Sequence, residues 1–284
     1  MAEVLGLEAV RLALAEDWAR QDITTGLFGL EAERRATGCI VAEDSFVVAG
    51  LQIAALVFHE LDRNVSIDTL IADGSWAETD ATIAAVGGSA RTLLAGERVA
   101  LNFVQRLSGI ATLTRRAVEA VAGTNARITH TRKTTPGLRR LEQYAVRVGG
   151  GVDNRASLAE AVLWKDNHWA LAAGRGRRLA RLLSGAPPGV SIMVEVETEE
   201  QLEVVLEAGV KHILADNQPP ERVATWVRRA GPGVTLQASG GISLDTVRAY
   251  ALAGATLISI GALTHSAPAV SLRFDVSSGP GIGS

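Results

Sequence analysis

Apolar and polar positions change rhythm along this chain, and the change falls near residue 100. Before it, short apolar runs such as Cys39–Ala42, Ser45–Ala49 and Val65–Ile71 are separated by turn signals, among them Asp73-Gly74 and Gly87-Gly88. This pattern predicts a small α+β domain. It is preceded by an amphipathic helix over Met1 to Arg20, where Leu and Ala alternate with Glu, Arg and Asp. From Val99 to Val121 the period becomes helical, with Leu101, Val104, Leu107 and Ile110 or Ala111 on one face. A helix joining two parts of the protein is expected there.

The second half alternates strands with helices. Ser191–Val196, His212–Ala215, Val234–Ala238 and Thr256–Ile260 are apolar runs of strand length. Helical stretches lie between them. Thr198-Glu199-Glu200-Gln201 is a capping-box sequence, and Gly209 follows the last residues of that helix. Pro219 and Pro220 open the next helix, and Ser243 starts a third that ends near Gly254. Glu195, Asp216, Ser239 and Gly261 stand at the four strand ends, separated by 21, 23 and 22 positions. Upstream, Ile128–Thr131 ends at Arg132-Lys133, and Ala161–Trp164 ends at Lys165. In an α/β barrel such ends converge on one mouth, so polar residues repeated there predict a shared site.

Composition narrows the reading. Hydrophobic residues make up 47% and charged residues 21% of 284, ordinary for a globular chain with a substantial core, while aromatics at 4% leave little for stacking on bases. A net charge of −3 gives no general attraction to nucleic acid or to an anionic membrane. Cys39 is the only cysteine, which excludes an intrachain disulfide and a cysteine-based zinc cluster, and its setting predicts a small buried hydrophobe. No apolar run reaches spanning length, and the start lacks the pattern of a signal peptide. A cytoplasmic enzyme is the expectation.

The predicted mouth collects Arg132, Lys133, Arg155, Lys165, Glu195 and Asp216, with small residues at Ser239-Gly240-Gly241 and Ser259-Ile260-Gly261. The glycine turns, placed before helices, suit a phosphate monoester. The basic residues exceed what one phosphate needs, and fit a highly anionic substrate pair or, residue by residue, surface ion pairs. Glu195 and Asp216 could hold ribose hydroxyls or Mg²⁺ through water, or neutralise Lys133 and Lys165. His168 could face the site, whereas His59, His130, His212 and His265 lack metal-like spacing and read as structural or surface residues. P-loop and serine-hydrolase motifs do not occur.

Several segments together resemble the quinolinate phosphoribosyltransferase family: Glu97-Arg98-Val99-Ala100-Leu101-Asn102, Arg106-Leu107-Ser108-Gly109-Ile110-Ala111-Thr112, Thr131-Arg132-Lys133-Thr134-Thr135-Pro136-Gly137-Leu138-Arg139 and Gly149-Gly150-Gly151. Lys165-Asp166-Asn167-His168, Val194-Glu195-Val196-Glu197, Asp216-Asn217, Ala238-Ser239-Gly240-Gly241-Ile242 and Leu263-Thr264-His265-Ser266 continue it in order, from about Leu14 to Pro268. The resemblance implies an N-terminal α/β sandwich domain over residues 1–107, with 266–284 returning to it, and an incomplete TIM-like α/β barrel over 108–265. It implies a homodimer or higher homo-oligomer in which Arg98 reaches the neighbouring subunit's site. Arg132, Arg155 and Lys165, with Asn154 beside them, would hold the acid's carboxylates. Lys133, Glu195 and Asp216 would face phosphoribosyl pyrophosphate and its Mg²⁺, with Lys165, Glu195 and Asp216 as the catalytic set. Ser239, Gly240 and Gly261 would bind the 5′-phosphate. The implied reaction gives nicotinate mononucleotide, pyrophosphate and carbon dioxide.

The chain departs from the family at Asp153-Asn154-Arg155, where Asn-His-Arg is usual, and at Trp164 and Gln237, where Ile and Glu are expected. Two unit charges ~4 Å apart at an effective dielectric of ~20 interact by ~4 kcal/mol, so Asp153 facing a substrate carboxylate would repel it strongly. Three functions follow: the quinolinate enzyme of NAD synthesis, a relative acting on another aromatic acid (the molybdenum-transport-associated branch being a lesser variant), or a non-catalytic binding protein.

Overall fold

The structure, a computed structural model, describes residues 5–172 and 179–278. The first four residues of the predicted N-terminal helix and the last six of the predicted returning segment lie outside the described residues. In chain order the first elements are α1 (Leu7–Glu16), α2 (Ile23–Gly26), β1 (Arg35–Ala42), β2 (Phe46–Val47), α3 (Leu51–Leu61), β3 (Ser66–Thr69), β4 (Trp76–Ala77), β5 (Thr82–Ser89) and α4 (Ala90–Ala120). Then come β6 (Arg127–Thr129), α5 (Arg139–Val148), β7 (Ala161–Trp164), α6 (Asp166–Leu171), α7 (Leu179–Leu183), β8 (Ser191–Val196) and α8 (Glu199–Glu207). The last are β9 (His212–Asp216), α9 (Pro220–Ala230), β10 (Thr235–Ser239), α10 (Val247–Leu252), β11 (Leu257–Ser259), α11 (Ala262–His265) and β12 (Leu272–Ser278). They fall into two compact units: Met1–Arg115, Thr135–Gly150 and Ser266–Ser284 form one, Arg116–Thr134 and Gly151–His265 the other.

The first unit is built on an antiparallel sheet of order β12-β1-β5-β3, so the far end of the chain supplies an edge strand beside β1. Helix α3 buries Leu51, Ile53, Ala54, Val57 and Phe58, an apolar stripe of helical period. Three expectations are corrected here. Gly87-Gly88 is no turn: β5 pairs through Gly87 with Thr37 on one side and Ser66 on the other, and two-sided pairing overrides the local signal. The joining helix starts nine residues before Val99, because Ser89 closes the strand and its hydroxyl accepts the Thr92 amide at 3.1 Å as a cap. The N-terminal helix is also shorter than Met1 to Arg20, ending at Glu16 before Trp18 takes φ 51°. Cys39 is half-buried, and burial with the Asp275 carboxylate raises its pKa, which keeps the thiol protonated and unreactive.

In the second unit six parallel strands run β6-β11-β10-β9-β8-β7. The first strand of the series pairs with the last, the winding of a barrel, yet β6 and β7 do not pair and the sheet stays open between them. The predicted strands match to within about two residues at each end. Thr198 caps α8 in the expected box, its hydroxyl oxygen accepting the Gln201 amide while the Gln201 carbonyl accepts the Thr198 amide. Pro220 opens α9 as read from the sequence. The helix expected from Ser243 begins at Val247, after a turn in which the Val247 amide donates to the Ser243 carbonyl at 2.9 Å.

Candidate active site at the strand ends

A cavity of about 720 Å³ opens at the C-terminal ends of the parallel strands. Its lining brings together Arg132, Lys133, Asn154, Arg155, Lys165, Glu195, Asp216 and Ser239, which come from six segments of the chain. The reason is geometric: parallel strands end on one side, so residues spaced by one strand-helix unit meet there. Glu195 is the penultimate residue of β8, and Asp216 and Ser239 end β9 and β10.

Cationic and acidic groups interlock across the lining. Lys165 Nζ lies 3.8 Å from Glu195 Oε2, and the Lys165 amide donates to His168 Nδ1 at 2.9 Å, which fixes the turn into α6. Burial pushes the Glu195 carboxyl above its ordinary pKa, Lys165 opposes that shift, and Asp216 adds to it. Burial likewise raises Asp216, against the pull of Lys133 and Lys165. Arg155 is lowered by burial and by Arg132, with Glu195 countering. The cavity therefore holds like charges pressed together and partly desolvated, an arrangement that a bound anion or cation relieves.

Carboxylate oxygens of Glu195, Glu197 and Asp216 lie within 4.8 Å of one another. Three oxygen donors suit a hard divalent cation. Glu197, directly after β8, was missed as a site residue; its alternation with Glu195 was the signal available. Asp166 and Leu158 were also missed, as were Val162, Leu163 and Leu214, since apolar residues on barrel strands read as core. His168 lines the cavity as expected.

Neither Gly240 nor Gly261 is among the residues lining the cavity, though Gly240 follows Ser239, which is. Gly240, φ 93°, lies against Asn217, and a Cβ there would stand 2.2 Å from Asn217 Oδ1. Only Gly fits that turn. It leads into an irregular segment before α10, not directly into a helix as the sequence suggested. Gly261 follows β11 beside the Lys133 stem and the His265 ring, and Thr264 Oγ1 donates to the Lys133 carbonyl at 2.9 Å.

Arg98 is not part of this cavity. It lies on α4 in the other unit, largely exposed, and lines a separate cavity of about 310 Å³ with Asp17, Asn102 and Phe103. Asp153 does not line the strand-end cavity: its Oδ1 lies 3.3 Å from Nε2 of the fully buried His130. Asn154 does line it, held by Nδ2 donating to the His130 carbonyl at 3.2 Å and by Oδ1 accepting the Arg155 amide at 2.8 Å. His59, His130 and His212 take structural positions within the fold.

Comparison with known proteins agrees with this architecture. The family described as Quinolinate phosphoribosyl transferase, N-terminal domain, matches residues 22–108, and the corresponding C-terminal domain matches residues 110–275. The carboxylating nicotinate-nucleotide pyrophosphorylase of Mycobacterium leprae (strain TN) is 40% identical over 275 residues, covering 95% of this chain and 96% of the relative. A solved nicotinate-nucleotide pyrophosphorylase from Ehrlichia chaffeensis superimposes with a TM-score of 0.90 at 34% identity, covering 98% of this chain and all of that one. One from Francisella tularensis gives 0.89 at 32%, covering 95% of each. With both domain families matched end to end and the strand-end cavity in place, the chain belongs to the quinolinate phosphoribosyl transferase family.

Proposed function

We propose that this protein transfers the phosphoribosyl group of phosphoribosyl pyrophosphate to quinolinate and removes one carboxyl group, forming nicotinate mononucleotide for NAD synthesis. Family membership and the names of the relatives support the reaction. The observation that carries it is one cavity whose lining gathers the cations Arg132, Lys133, Arg155 and Lys165 with the carboxylates of Glu195 and Asp216. In this reading Arg132, Arg155 and Lys165 hold the acid's two carboxylates, and Asn154 stands where a histidine is usual. Asp153 lies against His130 and outside the cavity lining, so its carboxylate does not face them.

The bond from the pyridine nitrogen to ribose C1 forms as the bond from C1 to pyrophosphate breaks. The electron pair leaves with pyrophosphate. When the adjacent carboxylate then departs as carbon dioxide, the electron pair stays on the ring carbon beside the positive nitrogen, whose charge stabilises it, and that carbon takes up a proton from water. Fixed charges suffice for such a reaction, and no protein nucleophile is needed. Lys133 neutralises the departing pyrophosphate, and Glu195 and Asp216 face the sugar. Ser239, Gly240 and Gly261 bind the 5′-phosphate. Glu195, Glu197 and Asp216 would hold Mg²⁺ through their carboxylate oxygens or intervening waters, and the ion would supply positive charge for the pyrophosphate.

We also propose a homodimer with Arg98 given to the partner's site. Exposed apolar side chains near the N-terminus, Ile23, Leu27, Phe28 and Leu30, support an interface there. The cytoplasm is the proposed compartment, in keeping with an unreactive lone thiol; no helix among the described residues is long and apolar enough to cross a membrane.

The deciding assay mixes protein, quinolinate, phosphoribosyl pyrophosphate and Mg²⁺ and quantifies nicotinate mononucleotide by mass spectrometry. Product should form and fall about a hundredfold or more in Lys165→Ala. Folded protein that binds phosphoribosyl pyrophosphate but yields no product would move the substrate to another aromatic acid.

A further inference from the structure

Beneath the cavity, three polar side chains cross the parallel sheet in a line. Gln237 on β10 is fully buried, and its Oε1 lies 2.7 Å from His212 Nε2 at the start of β9. On its other side Gln237 Nε2 meets Ser259 Oγ at the end of β11. Ser259 is itself buried, yet it lines the strand-end cavity. Three polar residues in a barrel core each cost free energy unless satisfied, so their bonding pattern is constrained.

The chemistry of each group sets a direction. An amide oxygen only accepts, so His212 Nε2 must carry the proton and donate. An amide nitrogen only donates, so Ser259 Oγ must accept. Burial lowers the His212 pKa below its ordinary value, and the bond to Gln237 opposes this only in part, so the ring is neutral near pH 7 and has one N–H to give. That N–H is committed to Gln237. Once Ser259 accepts from Gln237, its own proton has no acceptor among the described residues and is left to point into the cavity.

We propose that Ser259 is a substrate-binding residue that donates its hydroxyl proton to an anionic substrate oxygen at the cavity floor, and that Gln237 and His212 are positioning residues that fix this polarity. The inference rests on the proposed phosphoribosyl transfer for its ligands, whose carboxylate and phosphoryl oxygens share the required acceptor chemistry. A carboxylate at position 237 would reverse the chain: it accepts from Ser259 and takes the proton away from the cavity. The direction of this relay, and not the presence of a serine alone, therefore decides whether the floor offers a donor.

Two measurements test it. The first is ¹⁵N NMR of histidine-labelled protein near neutral pH. His212 should be the neutral Nε2–H tautomer, and an Nδ1–H tautomer would overturn the polarity. The second compares Ser259→Ala, Gln237→Glu and the double variant in steady-state kinetics and in calorimetric titrations with quinolinate and with phosphoribosyl pyrophosphate separately. Ser259→Ala should weaken binding and raise KM about tenfold for one of the two, with a smaller change in kcat. The one affected identifies whether carboxylate or phosphoryl oxygen is the acceptor. Gln237→Glu should act on that same substrate, and the double variant should be little worse than Ser259→Ala, because both remove one donor.

Unchanged affinity for both ligands in Ser259→Ala overturns the inference, as do losses in the two single variants that fall on different substrates. Ser259→Ala removes only one oxygen and answers the ligand question even if Gln237→Glu does not fold. The NMR readout needs no variant. Failure of the quinolinate reading is seen separately, as absence of turnover by the unaltered protein.

Discussion

Glu195 and Asp216 carry opposed electrostatic demands, and their pH behaviour follows from them. Burial raises both carboxyls while the lysines pull them down, with a net shift upward. A cation needs the ionised oxygens, so Mg²⁺ affinity should fall as pH drops through a range above that of an exposed carboxylate. Stability has the other sign: a raised folded pKa favours the proton in the folded state. That contribution is fully present below the unfolded carboxylate pKa and is lost as pH rises through the folded values. Calorimetric Mg²⁺ titrations over a pH series, with melts of the metal-free protein, check both. An acid limb in the ordinary carboxylate range, or one unchanged in Glu195→Gln, would refute the assignment. At this scale residue identity was legible from strand-end spacing, but side-chain direction was not. Asp153 stands next to two residues of the cavity lining, and only its contact with His130 shows that it turns elsewhere.

The segment Arg106–Thr112, one of those that carry the family resemblance, serves packing within α4. Ser108 Oγ accepts the Ala49 amide at 2.9 Å, and Thr112 Oγ1 accepts the Val47 amide at 2.9 Å, so two hydroxyls on one helix face hold the 46–50 segment. Arg106 donates to the Ala267 carbonyl and pairs with fully buried Glu142 at 2.8 Å. Between them Gly109 lets the chain near Pro268 pass: a Cβ there would stand 2.0 Å from the Pro268 carbonyl oxygen. Gly109→Ala improves helix propensity by about 1 kcal/mol, yet the clash is with backbone that cannot rotate away. A net loss of about 2 kcal/mol is expected. Thermal melts should show Tm lower by roughly 4–8 °C, and a neutral or raised Tm would show that the segment yields. Sequence reading placed this helix but not its start, since Gly87-Gly88 reads as a turn, whereas β5 pairs there on both edges and Ser89 caps the helix directly after it.

For the whole molecule the proposed homodimer makes a claim separable from fold. Arg98→Ala and Lys165→Ala disable different halves of a shared site under the proposed arrangement, so each alone should be inactive. Unfolded and refolded together, they should recover about a quarter of native activity, because random pairing gives mixed dimers with one intact site of two. No recovery, in a mixture shown by native mass spectrometry to contain mixed dimers, would place Arg98 in its own subunit's chemistry or outside it.

The sequence by itself determined the class of fold, the alternation of strand and helix in the second half and the residues at strand ends. These follow from apolar periodicity, caps and repeat spacing, which are local properties of the chain. The family likewise was legible, because its segments recur in order. The tertiary structure alone decided which neighbours those residues meet. It put Arg98 in the lining of a different cavity, brought Glu197 to Glu195 and Asp216, turned Asp153 to a buried histidine, and set His212, Gln237 and Ser259 in one line. Such facts depend on strand register and on packing between segments more than 20 residues apart along the chain, which no local pattern encodes.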